Sequence, residues 1–583
     1  MAKTEKRPNI LLFMVDEERY PVSYETETVK AWRKKNFKAL DWFQNHGIEF
    51  NNHYAGSAAC VPSRATIFTG QYPSLHGVTQ TTGTAKQSTD PDVFWLDPST
   101  VPTMGDYFRA GGYRTYYRGK WHVSHADIMM PGTHQALHSY DDNGRPIKKV
   151  IDLYKEADRL NGFGFSGWVG PEPHGSAKAN TGTNRDPGFA KEAIELIEEL
   201  EREQKKSAED LPPWLIVNSF VNPHDIVLFG LAWKSFGYPF KEGFVPDIGA
   251  PETEKESLTT KPACQQSYVD VYPKMLMPQP TLEIYRQFYY YLQKESDQHI
   301  WNVLSRLMKT SFFENTIIIF TSDHGEMLGA HGGMHQKWHN AYEETVHVPF
   351  IISHPTLFKE SKQANLLTSH VDLIPTMLGL AGIDQKAAQK ELQKSHSQSR
   401  PLVGRNLTKV ITGKVDPDFS TEPIYFMTDD EISSGLHQTN QVTNKPYTSV
   451  IQPNHIETVV ADLREKPGDE PQIWKYSRYF DNPQFWTNPF VSDVNMQDGK
   501  PVKTTKPQKP EFEMYNVTAD QKEQANLAHA SNKSRDEKVM QARLENLLTE
   551  QRGQKRIYPA PYDEYQNIIE GNPRPKQSQK PNS

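Results

Sequence analysis

Cysteine is nearly missing from this chain: there are two in 583 residues, at positions 60 and 264. So sparse and distant a pair excludes a disulfide-built extracellular scaffold and points to a reducing compartment. The sequence therefore reads as cytoplasmic, and the sequons at Asn406, Asn516 and Asn532 carry no weight as glycosylation sites. A positive charge excess is missing too. Lys and Arg number 65 against 72 Asp and Glu, with the signs mixed along the chain. That removes the electrostatic footprint of a nucleic-acid or anionic-membrane binder and disfavours a polymeric polyanion as substrate. No apolar run approaches the roughly 20 residues needed to span a bilayer. The run from Ile10 to Val15 is too short for a signal peptide and stops at three acidic residues, so it reads as a buried strand.

What is present is a series of short β-branched or aliphatic runs separated by helical patterns: NILLFMV (9–15), RTYYRG (114–119), WLIVNSFV (214–221), TIIIFTS (316–322) and PFIIS (349–353). Continuous apolar strands spaced by helices are what a parallel sheet covered on both faces requires. One helix is expected to start with Asp186 as N-cap and Pro187 at its first position, and a second to run over 282–308. The Lys/Gln/Ser-rich segment 385–400 reads as a surface connection. Beyond it, 423–427, 457–463, 474–480 and 512–517 read as strands of a smaller sheet, 535–552 as an amphipathic helix, and 572–583 as disordered. The expected division is a catalytic α/β unit over 1–400, a smaller α+β unit over 401–555 and an extended tail over 556–583.

In such folds, chemistry collects beyond the carboxyl ends of the strands. Those positions hold Asp16, Glu17 and Glu18; Lys120 and His122; His224; and Asp323 and His324. Adjacent buried carboxylates need a cation or several donors, and although either acidic pair alone could cap a helix or lie in a solvated loop, two on one rim favour a metal. Three carboxylates suit calcium or magnesium, and His324 leaves manganese open. Lys120 and His122 in GKWH are expected on one side of an extended segment, fitting anion binding and proton transfer. His224 in NPHD and Lys337 in HQKWHNAYEE are weaker candidates. HGEMLGAHGGMHQKWH (324–339) carries four histidines, but its spacing and glycines argue for a loop and against a dedicated zinc site. Cys60 opens CVPSRATIFTG (60–70); neither a thiolate nucleophile nor a buried structural cysteine accounts for the Pro62-Ser63-Arg64 that follows.

At CVPSRATIFTG the sequence resembles the type I sulfatases of the alkaline phosphatase superfamily, whose signature is Cys or Ser-x-Pro-Ser-Arg followed by Thr-Gly. The resemblance extends through PNILLFMVDE, GKWH, NPHD, SDHGEMLGAHG and SHVDLIPTMLGLAGI, nearly colinear over 8–385. It implies a large mixed, mostly parallel sheet sandwiched by helices, with a smaller C-terminal antiparallel sheet plus helix. It implies that Cys60 is converted by a transient formylglycine-generating or sulfatase-maturing enzyme to formylglycine, whose hydrated aldehyde attacks the sulfur of a small-molecule sulfate ester. A divalent cation, usually calcium, would be held by Asp16, Glu17, Asp323 and His324 and would contact residue 60. Arg64, Lys120 and Lys337 would stabilise developing charge, His224 with Lys337 would protonate the leaving oxygen, and His122 would deprotonate the second hydroxyl. Glu17 and His324 depart from the commoner residues of the family. An Asp-His pair also occurs in phosphonate monoester hydrolases, so that activity, or phosphodiester hydrolysis, is the alternative; the GKWH pattern favours sulfate. No nucleic acid or membrane partner is expected, and the sequence leaves monomer and homo-oligomer both open.

Overall fold

The computed structural model describes residues 6–555 apart from 174–176, 208–210, 230–236, 242, 279–281, 359, 416–421, 441, 467, 498–499 and 530–532. The tail at 572–583 read as disordered lies outside the described residues.

The expected apolar runs become β1 (Asn9–Asp16), β3 (Arg114–Gly119), β4 (Trp214–Pro223), β5 (Thr316–Ser322) and β6 (Phe350–Ser353), joined by β2 (Gly47–Tyr54) and β7 (Lys362–Ser369). They form one seven-stranded sheet in the order β3-β4-β1-β5-β6-β2-β7. β6 alone runs antiparallel to its neighbours, β5 and β2. PFIIS is thus a reversed strand inside an otherwise parallel sheet, where the apolar run suggested another parallel one. Because successive side chains point to opposite faces, β1 feeds two cores. Ile10, Leu12 and Met14 join Val61, Phe68, Trp121 and Met377 on one face. Leu11, Phe13 and Val15 meet Ala193, Ile197, Val303 and Leu307 on the other. Each such side chain contributes about 1.5–3 kcal/mol by leaving water.

The helix Gly182–Lys206 starts one turn before the expected cap. Asp225 accepts from the Gly182 and Thr183 amides (2.9 and 3.2 Å), satisfying the free donors of its first turn. Asp186 turns instead to the end of β4, accepting from Val221 and Asn222 (2.7 and 3.0 Å), so Pro187 lies in the second turn. The expected connection at 385–400 contains a helix, Gln385–Leu392, capped by Asp384 and built from good helix formers. The second expected helix is present as Glu283–Leu307.

A separate four-stranded antiparallel sheet, β11-β10-β9-β8, is made by β8 (Ile424–Thr428), β9 (His455–Leu463), β10 (Gln472–Phe480) and β11 (Glu511–Asn516). The helix Arg535–Lys555 packs on it through Met540, Leu544 and Leu548. Among the described residues, no helix is long and apolar enough to cross a membrane.

Between the two sheets lies the histidine-rich loop. His331 is fully buried, with Nδ1 2.8 Å from Glu256, Nε2 3.6 Å from Glu344 and its ring stacked 3.6 Å from that of Tyr342. Burial alone would depress its pKa, but the two carboxylates raise it to about 9. Since the folded value exceeds the unfolded value of about 6.5, its contribution is complete below that pH and is lost as pH rises through 9. The gap corresponds to about 3 kcal/mol. Urea unfolding of the wild type and of His331→Gln should therefore show a stability difference that shrinks by about this amount between pH 6 and 10. A difference that ignores pH would refute the ion-pair account.

Candidate active site

The ends of β1 and β5 are adjacent, so the acids that follow them meet. Asp16 closes β1, and Glu17 takes a left-handed backbone (φ 76°) that turns its carboxylate back into the molecule. Asp323 and His324 follow β5, and Gly325 follows them; a Cβ there would sit 2.1 Å from the Glu344 carbonyl oxygen, so only glycine fits. Cys60 is the first residue of the helix Cys60–Thr69, all ten residues of which are buried. Its Sγ lies 3.1 Å from His324 Nε2 and 3.6 Å from Asp16 Oδ1. Asp16, Cys60, Asp323 and His324 present ligand atoms within 4.8 Å of one another, and Asp16, Glu17 and His224 do the same.

Three cations face the three carboxylates. Lys120 Nζ is 2.6 Å from Asp16 Oδ2, and Lys337 Nζ is 3.1 Å from Glu17 Oε2. Arg64 Nη1 is 3.0 Å from Asp323 Oδ2 and 3.5 Å from Asp16 Oδ2. The rest of that guanidinium donates to Trp121 O (2.9 Å), Ser219 Oγ (2.5 Å), Tyr117 OH (3.3 Å) and the Lys120 carbonyl, tying the helix Cys60–Thr69 to the ends of β3 and β4. Lys120 reaches inward because Gly119, at φ 114°, lets the chain cross β4 where a Cβ would be 1.8 Å from Ser219 O.

Burial would raise the Asp16 pKa, yet Lys120, His224, His324 and Arg64 hold it well below the usual carboxylate range. For Glu17 burial prevails over Lys337, and Glu326 adds to it, so its pKa lies well above that range. Burial, with the Asp16 charge, pushes the Cys60 thiol up to about 12. A thiol so protonated is a poor nucleophile. Burial and then Lys120 depress His224, which is neutral. Lys337 stays cationic: burial is overcome by the Cys60 sulfur and the Glu17 carboxylate.

The structure thus brings Asp16, Glu17, Cys60, Arg64, Lys120, His224, Asp323, His324 and Lys337 together. His122 differs from its expected placement. At φ 55° it leaves the extended conformation, so two-residue alternation with Lys120 fails; its Nε2 lies 3.2 Å from Thr82 Oγ1 and its ring 6.0 Å from that of Trp95. The backbone there is held by Glu172, whose carboxylate accepts from the amides of Trp121 (3.2 Å) and His122 (2.7 Å). Of the four loop histidines, only His324 belongs to the four-ligand cluster; His335 meets Tyr285 OH at 3.3 Å, and His339 lies 3.7 Å from Glu431.

Several supporting residues were not singled out from sequence. Ser63 Oγ donates to Asp323 O (2.5 Å), and His370 accepts from the Gly56 amide (3.3 Å) while donating to Ser322 O (3.0 Å). Asp430, just past β8, accepts from Trp338 Nε1 (3.0 Å), the Thr81 amide (2.9 Å) and the Ala59 amide (3.5 Å), joining the segments beside Lys337, His122 and Cys60. Extending the strand-end rule to the second sheet would have found it. Described residues of two aromatic stretches supply packing: Phe163, Phe165 and Trp168 lie in the main core, and Phe229, Tyr238 and Phe240 pack on Tyr285 and Phe288.

The family model described as Sulfatase matches residues 8–383. The uncharacterized sulfatase YidJ of Escherichia coli (strain K12) is 27% identical over 391 residues, covering 65% of this chain and 69% of that one. The choline-sulfatase of Rhizobium meliloti (strain 1021) is 26% identical over 385 residues, covering 65% and 69%. The solved structure of a 2-O GAG sulfatase, 18% identical, superposes with a TM-score of 0.59 over 97% of this chain and 94% of that one. With its alkaline phosphatase-like fold and the match spanning most of its length, the chain belongs to the sulfatase family and is a sulfuric ester hydrolase.

Proposed function

We propose that the protein hydrolyses the sulfate monoester of a small organic molecule, releasing an alcohol or phenol and sulfate, with residue 60 acting as formylglycine. The observation that carries this reading is the placement of Cys60 among Asp16, Asp323 and His324 with its thiol held protonated. Such a cysteine is poorly suited to act as a thiolate, whereas a hydroxyl at the same point would lie beside the same side chains.

The donor set fits a divalent cation. Glu17 Oε1 is buried without a hydrogen-bond partner, and three carboxylates with one imidazole suit Ca2+, with Mg2+ or Mn2+ as alternatives. Asp16, Glu17, Asp323 and His324 would hold it, and when bound it supplies Lewis-acid stabilisation of the ester oxygens. The protein's own groups do the rest. Arg64 holds Asp16 and Asp323 in place; Lys120 and Lys337 offset charge on the departing group. Lys337, cationic, supplies the proton to the leaving oxygen, and His224, neutral, hydrogen-bonds there. The base for the second hydroxyl of residue 60 is the role that the family resemblance gives to His122, whose backbone amide Glu172 holds and whose Nε2 lies 3.2 Å from Thr82 Oγ1. Because Cys60 is buried, its conversion by a maturing enzyme precedes folding of the site. The mixed surface charge and the choline-sulfatase relative support a small ester over a sulfated polymer.

Activity and mass measured together test this. An aryl sulfate should be hydrolysed with a kcat/KM at least about tenfold above that of a phosphonate monoester with the same leaving group, a gap of about 1.4 kcal/mol. The tryptic peptide 39–64 should carry an aldehyde in place of the thiol. A preference for the phosphonate, or full activity with intact Cys60, would overturn the reading.

A further inference from the structure

We propose that in a chain that has folded with residue 60 unconverted, still a cysteine, the same pocket is a zinc site, with Asp16, Cys60, Asp323 and His324 as its four ligands. The measured separations have the size such a site needs. Cys60 Sγ is 3.1 Å from His324 Nε2 and 3.6 Å from Asp16 Oδ1, while His324 Nε2 is 3.8 Å from Asp16 Oδ1 and 3.7 Å from Asp323 Oδ1. Zinc bonds of about 2.0 Å to N and O and about 2.3 Å to S imply tetrahedral edges of about 3.3 to 3.5 Å.

The ligand atoms are also turned the right way. His324 Nδ1 faces the Gly325 carbonyl oxygen at 3.0 Å; a carbonyl can only accept, so the proton sits on Nδ1 and the Nε2 lone pair faces the cluster. Lys120 takes Asp16 Oδ2 and Arg64 takes Asp323 Oδ2, so each Oδ1 lies on the side of His324; Asp323 Oδ1 also accepts from the Glu17 and His324 amides (3.1 and 3.0 Å), which fix its carboxylate there. All four side chains are buried.

Sulfur and imidazole beside two carboxylates suit a borderline cation better than a hard one. On binding, a Zn–S bond forms and the thiol proton leaves to solvent, with no change of oxidation state. Conversion of Cys60, which rests on the function proposed above, replaces that sulfur by oxygen. The remaining donors, with Glu17 Oε1 available, then form a set for a hard cation. The chemical state of residue 60 thereby selects the metal.

The test uses the full chain made by cell-free translation without any formylglycine-generating activity, its cysteine verified by mass, and Co2+ as the probe in excess Ca2+. The expected result is a thiolate-to-cobalt charge-transfer band that saturates at equimolar metal and is erased by Zn2+. Cys60→Ser should lose the band and bind Co2+ at least about tenfold more weakly, and His324→Asn should weaken binding while keeping the band. Circular dichroism reports whether each variant is folded, and the band of the unmodified chain decides alone if one is not. Cobalt bound without a thiolate band, no cobalt bound, or equal affinity in Cys60→Ser overturns the assignment. Hydrolysis of sulfate esters by converted enzyme is scored separately, so failure here leaves the proposed function standing, and the reverse holds too.

Discussion

Replacing Cys60 with alanine is expected to lower kcat/KM for a sulfate ester by on the order of 10^6-fold, the loss that follows removal of a covalent nucleophile acting with its partners as a unit. The effect should be one of chemistry, not folding. Cys60 begins a helix whose other nine residues are buried by their own contacts, and truncating the side chain of residue 60 to a methyl group leaves a small cavity costing about 1 kcal/mol. Sulfate release by the alanine variant, with urea unfolding alongside, separates the two. A drop of less than about a hundredfold would show that the nucleophile comes from elsewhere.

The second large effect is on the fold itself. Arg64 is fully buried and serves Asp16, Asp323, Trp121, Tyr117, Lys120 and Ser219 at once. Arg64→Leu strands the Asp323 carboxylate and several acceptors without water, which costs about 3–5 kcal/mol. A protein stable by about 5–15 kcal/mol loses a large part of its margin. Arg64→Lys restores the charge but not the planar fork, so it should recover part of the loss at most. The comparison is made by denaturant unfolding of the three proteins. A leucine variant within 1 kcal/mol of wild type, or a lysine variant that fully replaces arginine, would contradict this account.

How far the site was legible follows from where its residues sit. Asp16, Glu17, Asp323 and His324 end apolar strands in which every residue is buried, so the change from apolar to ionisable is abrupt and the strand-end rule finds it. His224 and Lys120 follow from the same rule. β2 escapes, because GIEFNNHY has neither alternation nor an apolar run. Its polar groups are met across the sheet, as in His53 Nδ1 to Thr368 Oγ1 (2.9 Å) and Asn52 Nδ2 to Asn365 O (2.6 Å), partners no local pattern shows. His122 failed for a local reason: alternation assumes an extended backbone, and a left-handed residue breaks it. Glu172 and His370 act through backbone groups of distant segments, and nothing in their own neighbourhoods marks them. The helix Gly182–Lys206 was misjudged at its start because Asp225, 43 residues from Gly182, supplies the cap that Asp186 was expected to supply.

Cys60 and His324, in contact in the finished site, are 264 residues apart in the chain. During synthesis at about 5–20 residues per second, residue 60 is made roughly 13 to 50 s before the strand end that will enclose it. Throughout that interval the pocket cannot close, because one wall has not been made. If residue 60 is converted as proposed, chain order acts as a timer: the modifying enzyme has until His324 emerges, and slowing translation between the two positions should raise the fraction converted.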